Sequence, residues 1–236
     1  MKHWSYEPAQ DSDLTPGQRL SSTRREPSLI TALISLAWWT LARVHLRVFH
    51  RLEITGRERL PNAPGFFLVG NHASHLDALV LASILPLRWN GHVFPVAAGD
   101  TFFENPGSTV FASQCLNALP LWRRKVTTHA LTTLRERTQR DVLILFPEGT
   151  RSRDGTLGTF KPGIGMIVAE TTAPVIPCRI EGAFEAWPPG QRFPSPKKIR
   201  VTVGSPLCFE KISNERKGWE QIATSLRDAL AELGPS

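Results

Sequence analysis

Five short apolar runs, each closed by turn residues and separated by stretches of helical periodicity, restrict this chain to one kind of architecture. GFFLVGN (65–71), HVFPVAAG (92–99), DVLILF (141–146), APVIPCRI (173–180) and KIRVTVG (198–204) read as strands. Apolar residues recur at helical spacing over 76–86, 102–114, 126–139 and 163–171. A last helix fits 215–233, where Trp219, Ile222, Ala223, Leu226, Leu230 and Leu233 share a face. Strands alternating with helices imply an α/β fold, with a mostly parallel or mixed central sheet flanked by helices. The proline-rich AWPPGQRFPSPKK (186–198) interrupts this pattern as a long exposed loop.

The alternation starts only near residue 53, and two different segments precede it. Residues 1–27 are polar, broken by Pro8, Pro16 and Pro27, and read as a disordered leader without the apolar centre of a signal peptide. Residues 28–42 carry no charge and would make a helix of about 22 Å, short of the roughly 30 Å hydrocarbon core of a bilayer. Beyond them Arg43, Arg47 and Arg51 fall on one helical stripe, opposite Leu41, Val44, Val48 and Leu52. An apolar half running into a basic amphipathic half suits a membrane-associating helical segment over 28–52 that dips into one leaflet. The alternative is a core helix of a soluble domain. Residues 53–236 then form the α/β domain.

Charge and cysteine usage narrow the chemistry. Lys and Arg exceed Asp and Glu by seven, which points to a polyanionic partner such as anionic lipid or a phosphorylated substrate. Zinc-finger and RNA-binding signatures are missing, which argues against nucleic acid. Cys115, Cys178 and Cys208 lie far apart, so neither a disulfide framework nor a thiolate zinc site is expected.

Reactive residues crowd the carboxyl ends of two of the strands, where open α/β sheets place their ligands. After GFFLVG come Asn71, His72, Ala73, Ser74, His75, Leu76 and Asp77. On one continuous helix His72 and Asp77 would lie about 140° apart and could not pair. If Ser74 caps a helix that begins at His75, Asp77 completes a capping box and can turn toward the loop carrying His72. A carboxylate on one ring nitrogen fixes the other as a proton acceptor, and the motif holds no nucleophile of its own. The hydroxyl to be deprotonated would then belong to a substrate. The alternative is chelation of a cation by His72, His75 and Asp77, although the remaining histidines form no second cluster.

The second crowded strand end is Phe146-Pro147-Glu148-Gly149-Thr150-Arg151-Ser152, with Phe160-Lys161-Pro162-Gly163 soon after. Together they offer a carboxylate, hydroxyls, a guanidinium suited to phosphate and a second cation before a helix start. Leu119 to Lys125 adds a third basic cluster.

These blocks resemble the glycerolipid acyltransferases typified by 1-acylglycerol-3-phosphate acyltransferase. Asn71, His72, Ser74 and Asp77 match the N-H-x-S-x-x-D block, Phe146 to Ser152 match F-P-E-G-T-R-S in full, and Val175-Ile176-Pro177-Cys178 match the V-I-P block. The G-x-x-F-I-x-R block is imperfect: Arg123 holds the arginine position, but Asn117 replaces glycine and Pro120-Leu121 replace phenylalanine-isoleucine.

The resemblance implies His72 as base and Asp77 as its partner. It implies Glu148, Gly149, Thr150 and Arg151, with Arg123 or Lys161, as binders of a glycerol phosphate acceptor. The implied reaction transfers an acyl group from acyl-CoA or acyl carrier protein to a lysophospholipid hydroxyl, most simply 1-acylglycerol-3-phosphate, giving phosphatidic acid. No cofactor or metal is implied. The implied setting is the cytoplasmic face of a membrane, peripheral or monotopic, against an anionic surface. A thioesterase or lipid hydrolase would use water instead of the hydroxyl, and a non-catalytic peripheral membrane protein would need neither His72 nor Asp77.

Overall fold

Buried parallel strands need apolar side chains on both faces, and β2 (Phe66–Gly70) meets that demand at every residue. Phe66 and Leu68 point to one side of the sheet, Phe67 and Val69 to the other, and each set joins a separate core. The computed structural model describes residues 11–24, 29–121 and 128–234. Among these, seven strands form one sheet: β1 (Glu53–Thr55), β2, β3 (Val93–Ala98), β4 (Leu119–Leu121), β5 (Val142–Leu145), β6 (Val175–Glu181) and β7 (Arg200–Val203). The spatial order is β1-β7-β6-β2-β5-β3-β4, and all neighbours run parallel except β6 and β7. The sheet is therefore mixed.

The helices are α1 (Pro16–Leu20), α2 (Leu29–Val48), α3 (Asp77–Ser83), α4 (Gly99–Phe102), α5 (Pro106–Val110), α6 (Thr128–Arg137), α7 (Gly163–Val168), α8 (Ala183–Ala186) and α9 (Arg216–Glu232). On one face of the sheet α2 and α3 bring Trp39, Leu46, Leu81 and Ile84 against Phe66 and Leu68. On the other, α6, α7 and α9 bring Leu134, Ile167, Leu226 and Leu230 against Phe67 and Val69. Helix α9 buries the face its periodicity predicts, with Ile222, Ala223, Leu226 and Leu230 all inside. Gly165 makes the α7–α9 crossing possible, because a Cβ there would lie 2.3 Å from Trp219 Cα.

Four expectations need correction. The single helix expected over 102–114 is broken. Asn105 is extended ahead of Pro106, which starts α5, and the chain then widens into a π turn at Phe111–Cys115. Strands β1 and β4, three residues each, escape the apolar-run criterion altogether. The leader expected to be disordered forms α1 within its described part, with a reciprocal Thr15–Gln18 capping box, and Arg137 Nε donates to Thr23 O at 2.8 Å.

The fourth correction concerns α2, whose arginines do not form the expected outward stripe and which buries one face in the core. Its Trp39, Ala42 and Leu46 are buried core, whereas Leu29, Leu33, Leu41, Val44 and Val48 are 54–77% exposed. Arg43 does not join an outward stripe: its Nη2 donates to Ala82 O at 3.1 Å, and Arg51 lies beyond the helix end with φ 48°. No helix of the described residues is long and apolar enough to cross a membrane.

Candidate active site

Strands β2 and β5 are parallel neighbours, so the residues that follow them emerge at the same edge of the sheet. The two polar motifs meet there. Ser152 N donates to His72 O at 2.7 Å, and His72 N donates to Glu148 Oε1 at 2.8 Å, so each motif holds the other's backbone.

Asn71 anchors the first motif. Its Oδ1 accepts from Ile180 N at 2.7 Å and its Nδ2 donates to Ile180 O at 2.9 Å. A buried side-chain amide thus continues the β2–β6 ladder one step past Gly70, and the chain can then leave the sheet without orphaned polar groups. The sequence offered only a hint of this, in an asparagine at a strand end beside a second apolar strand.

The expected helix start at His75 is two residues early. Helix α3 begins at Asp77, and Ser74 Oγ accepts from Leu76 N at 3.2 Å and donates to Trp187 O at 2.8 Å rather than capping the third helical residue. Asp77 still reaches back. Its Oδ2 accepts from Ala73 N at 2.6 Å, Ser74 N at 2.7 Å and His72 Nδ1 at 2.8 Å, and the residue is fully buried. Two backbone N–H donors on that oxygen mark it as an acceptor, so His72 carries its proton on Nδ1 and leaves Nε2 with a free lone pair. The ring stacks on Phe146 at 4.4 Å, and its side chain is 25% exposed. The result is an oriented imidazole whose accepting nitrogen lies open to a ligand.

The turn of the second motif closes with Gly149 N donating to Phe146 O at 3.0 Å. Gly149 has φ 72°, and a Cβ there would meet the Lys161 side chain, 3.0 Å from its Nζ. The missing side chain therefore lets Lys161 lie across the motif, while its N–H donates to Pro147 O at 2.9 Å. Glu148 is not displayed toward a ligand as expected. It is buried, with Oε2 accepting from Gly158 N at 3.3 Å in addition to the His72 bond, and burial pushes its carboxyl pKa up against the opposing pull of those N–H groups. It positions the His72 loop.

Thr150 is exposed at the rim. Arg151 Nη1 lies against the His75 ring, 2.6 Å from Nδ1 and 2.5 Å from Nε2, and His75 in turn packs against Trp187 with ring centroids 5.0 Å apart. Burial, then the Arg151 charge, lowers the His75 pKa, which keeps that ring an acceptor. His75 thus lies between Arg151 and Trp187, and no group of three His, Cys, Asp or Glu side chains placed to hold a metal ion is found among the described residues. Arg123 lies outside the described residues.

Comparison with known proteins gives a consistent result. A family model described as Acyltransferase matches residues 51–181, a span that includes both motifs and Lys161. The chloroplastic 1-acyl-sn-glycerol-3-phosphate acyltransferase BAT2 of Brassica napus is 30% identical over 176 residues, covering 72% of this chain and 49% of that protein. The alpha 1-acyl-sn-glycerol-3-phosphate acyltransferase of Mus musculus is 29% identical over 189 residues, covering 78% and 63%. The chain thus spans about half the length of the first of these relatives. The crystal structure of the 1-acyl-sn-glycerophosphate acyltransferase of Thermotoga maritima superposes with a TM-score of 0.63 at 26% identity, covering 88% of this chain and 82% of that one.

Proposed function

Because the chain belongs to the acyltransferase family, we propose that it moves a fatty acyl group from acyl-CoA or acyl carrier protein to the free hydroxyl of 1-acylglycerol-3-phosphate, yielding phosphatidic acid. One observation carries this reading. His72 is held through Nδ1 by a buried carboxylate, and among the described residues no serine or cysteine is hydrogen-bonded to its ring. Such a base acts on a hydroxyl that arrives with the substrate.

In the step that follows, Nε2 takes the hydroxyl proton as the oxygen attacks the thioester carbon. The carbon–sulfur bond breaks, the acyl group remains on oxygen as an ester, and the thiolate leaves with the proton that His72 carried. Asp77 stabilises the imidazolium between these events. Arg151 and Lys161 hold the acceptor's phosphate and so keep its hydroxyl beside His72, converting an encounter into an oriented attack.

The exposed apolar residues of α2 form a face that water solvates poorly, next to exposed Val110 and Phe111, and Trp38 packs edge-on against Phe111 at 5.6 Å. A patch of this kind suits insertion into one leaflet and access to acceptors that never leave the membrane. We place the protein as monotopic on the cytoplasmic face of an anionic membrane, where acyl thioesters are supplied.

The test is purified protein with labelled oleoyl-CoA and a panel of lysolipids, products resolved by chromatography. Transfer to lysophosphatidate ahead of uncharged monoacylglycerol is the expected result. Release of free fatty acid at the same rate with and without acceptor would replace the reading with a thioesterase.

A further inference from the structure

Helix α3 begins at Asp77 in the site and ends at Ser83. About 9 Å along its axis from Asp77, its carboxyl terminus borders a cavity of about 140 Å³ lined by Arg43, Arg47, Arg57, Ser83, Leu52 and Leu85. That volume is several times the roughly 30 Å³ share of one water in the liquid. No carboxylate is among its lining residues, although three guanidinium groups converge on it. Burial first, and then the charges of Arg57 and Arg47, brings the Arg43 pKa down to about 10. Ser83 Oγ and Arg43 Nε lack a protein partner but are shut off from solvent behind the cavity wall. Arg43 also spends Nη2 on Ala82 O, so of its guanidinium only Nη1 is left to meet a ligand, beside Arg47 and Arg57.

Three cations lining one cavity without a carboxylate form a receptor for a tetrahedral oxyanion, since guanidinium groups match phosphate oxygens in charge and geometry. The position indicates where that anion comes from. Arg43 and Arg47 sit on the last turns of α2, flanking exposed Val44 and Val48, and the preceding turns expose Leu29, Leu33, Ile34 and Leu36. The exposed apolar face of α2 thus ends beside the cavity, with Arg47 exposed and Arg43 turned in toward Ala82 O.

We propose that this pocket binds the phosphate of an anionic phospholipid, at a site separate from the acceptor site beside His72. The proposal rests on the membrane docking of α2 proposed above. The pocket then acts as a bolt that fixes the depth and rotation of α2 in the leaflet.

The test is flotation of the full chain with vesicles of phosphate-free digalactosyldiacylglycerol alone and of digalactosyldiacylglycerol mixed with phosphatidylglycerol, for the parent, Arg57→Gln, Arg57→Lys and Arg51→Gln. Arg57 is exposed and lies off α2, so its loss leaves both the fold and the apolar face in place. Partition onto neutral vesicles reports α2 docking alone and is unchanged in all four proteins. The gain from phosphatidylglycerol falls about ten-fold or more in Arg57→Gln, the scale of a hydrogen bond to a charged group. It falls about five-fold in Arg51→Gln, the scale of a diffuse surface charge. Arg57→Lys recovers little, because it keeps the charge without the fork. Equal losses in Arg51→Gln and Arg57→Gln, with full recovery in Arg57→Lys, would overturn the pocket in favour of a diffuse basic surface. A parent that ignores neutral vesicles would instead remove the α2 reading. Inorganic phosphate that raises the melting temperature of the parent but not of Arg57→Gln, without any vesicle preference, would reassign the pocket to free phosphate and overturn the lipid assignment.

Discussion

The catalytic loops and the outer face of α2 are opposites in how they are completed. In the loops the chain supplies almost every partner itself: Asp77 Oδ2 receives three donors, Glu148 two, and Asn71 spends both amide ends on Ile180. On α2, large apolar side chains stand in water on one face while Trp39 and Leu46 are buried on the other. A closed hydrogen-bond network fixes one geometry and is weakened when a fully buried member is removed. An open apolar face is completed by its surroundings and tolerates single changes, so its loss shows as misplacement and not as misfolding.

The largest effect should come from the closed region. His72→Ala lowers turnover about 10² to 10⁴-fold, the usual cost of losing a general base. The ring is partly exposed and stacks on Phe146, so the circular dichroism spectrum and melting temperature change little. A folded His72→Ala protein with near-parental turnover would show that the network is structural only.

Glu148 separates positioning from binding more finely. Glu148→Ala orphans the N–H groups of His72 and Gly158, each worth about 1–3 kcal/mol when buried without a partner. It should lower the melting temperature and cut kcat by about 10²-fold, leaving the acceptor KM nearly unchanged. A selective rise in acceptor KM would instead make Glu148 a ligand for substrate. Its raised pKa also has a stability consequence. A carboxyl that ionises less readily in the folded state favours folding below the ordinary value of 4.5 and loses that contribution as pH rises through the folded value. Parent minus Glu148→Gln melting temperatures should therefore decline across that window, and a flat or rising difference would contradict the assigned direction.

How much of this was legible in the sequence depends on whether local chemistry or distant packing decides the outcome. The two motifs were legible because each follows a strand whose apolar run is unmistakable, and parallel pairing of β2 with β5 does the rest. Asp77 was expected to turn back to His72, and it does, although from the first helical residue and not the third. The resemblance implied Glu148 as a binder of the acceptor, but its burial against two backbone N–H groups was not legible from its polar neighbours. Its burial depends on Gly158, ten residues on, whose backbone comes close only in the folded loop. Arg43 was misread for a related reason: helical periodicity gives its angle on α2 but not the presence of α3's last carbonyls beside it. Strand β4 owes its existence to a register with β3 that no three-residue pattern can announce.

Between the closed and open regions stands Arg151, tied to His75 yet free to turn its remaining N–H groups outward. Arg151→Lys keeps the charge and loses the fork, so the acceptor KM should rise roughly ten-fold while the thioester KM stays nearly constant. Initial rates against each substrate in turn measure both. Equal shifts in the two constants would indicate that the substitution disturbs the mouth as a whole.

The smallest single effect belongs to the open face, and it sharpens the contrast because it should be nearly invisible to the fold. Leu41 is 63% exposed and Trp39, two residues away, is 2% exposed. Leu41→Ser removes an apolar side chain that water already surrounds, so unfolding free energy should change by no more than about 0.5 kcal/mol. Trp39→Ala, the inner control, empties a packed position and should cost about 3–5 kcal/mol. On neutral vesicles the order reverses. Leu41→Ser should weaken partition about five-fold, because part of the roughly 1.5–3 kcal/mol that a buried leucine gains is lost. A Trp39→Ala protein still folded at low temperature should bind as the parent does, since Trp39 faces the core. If Leu41→Ser instead destabilised the protein in solution and left vesicle binding intact, the outer face of α2 would be covered by the chain itself or by a second copy, and the membrane would lose its place as the missing partner.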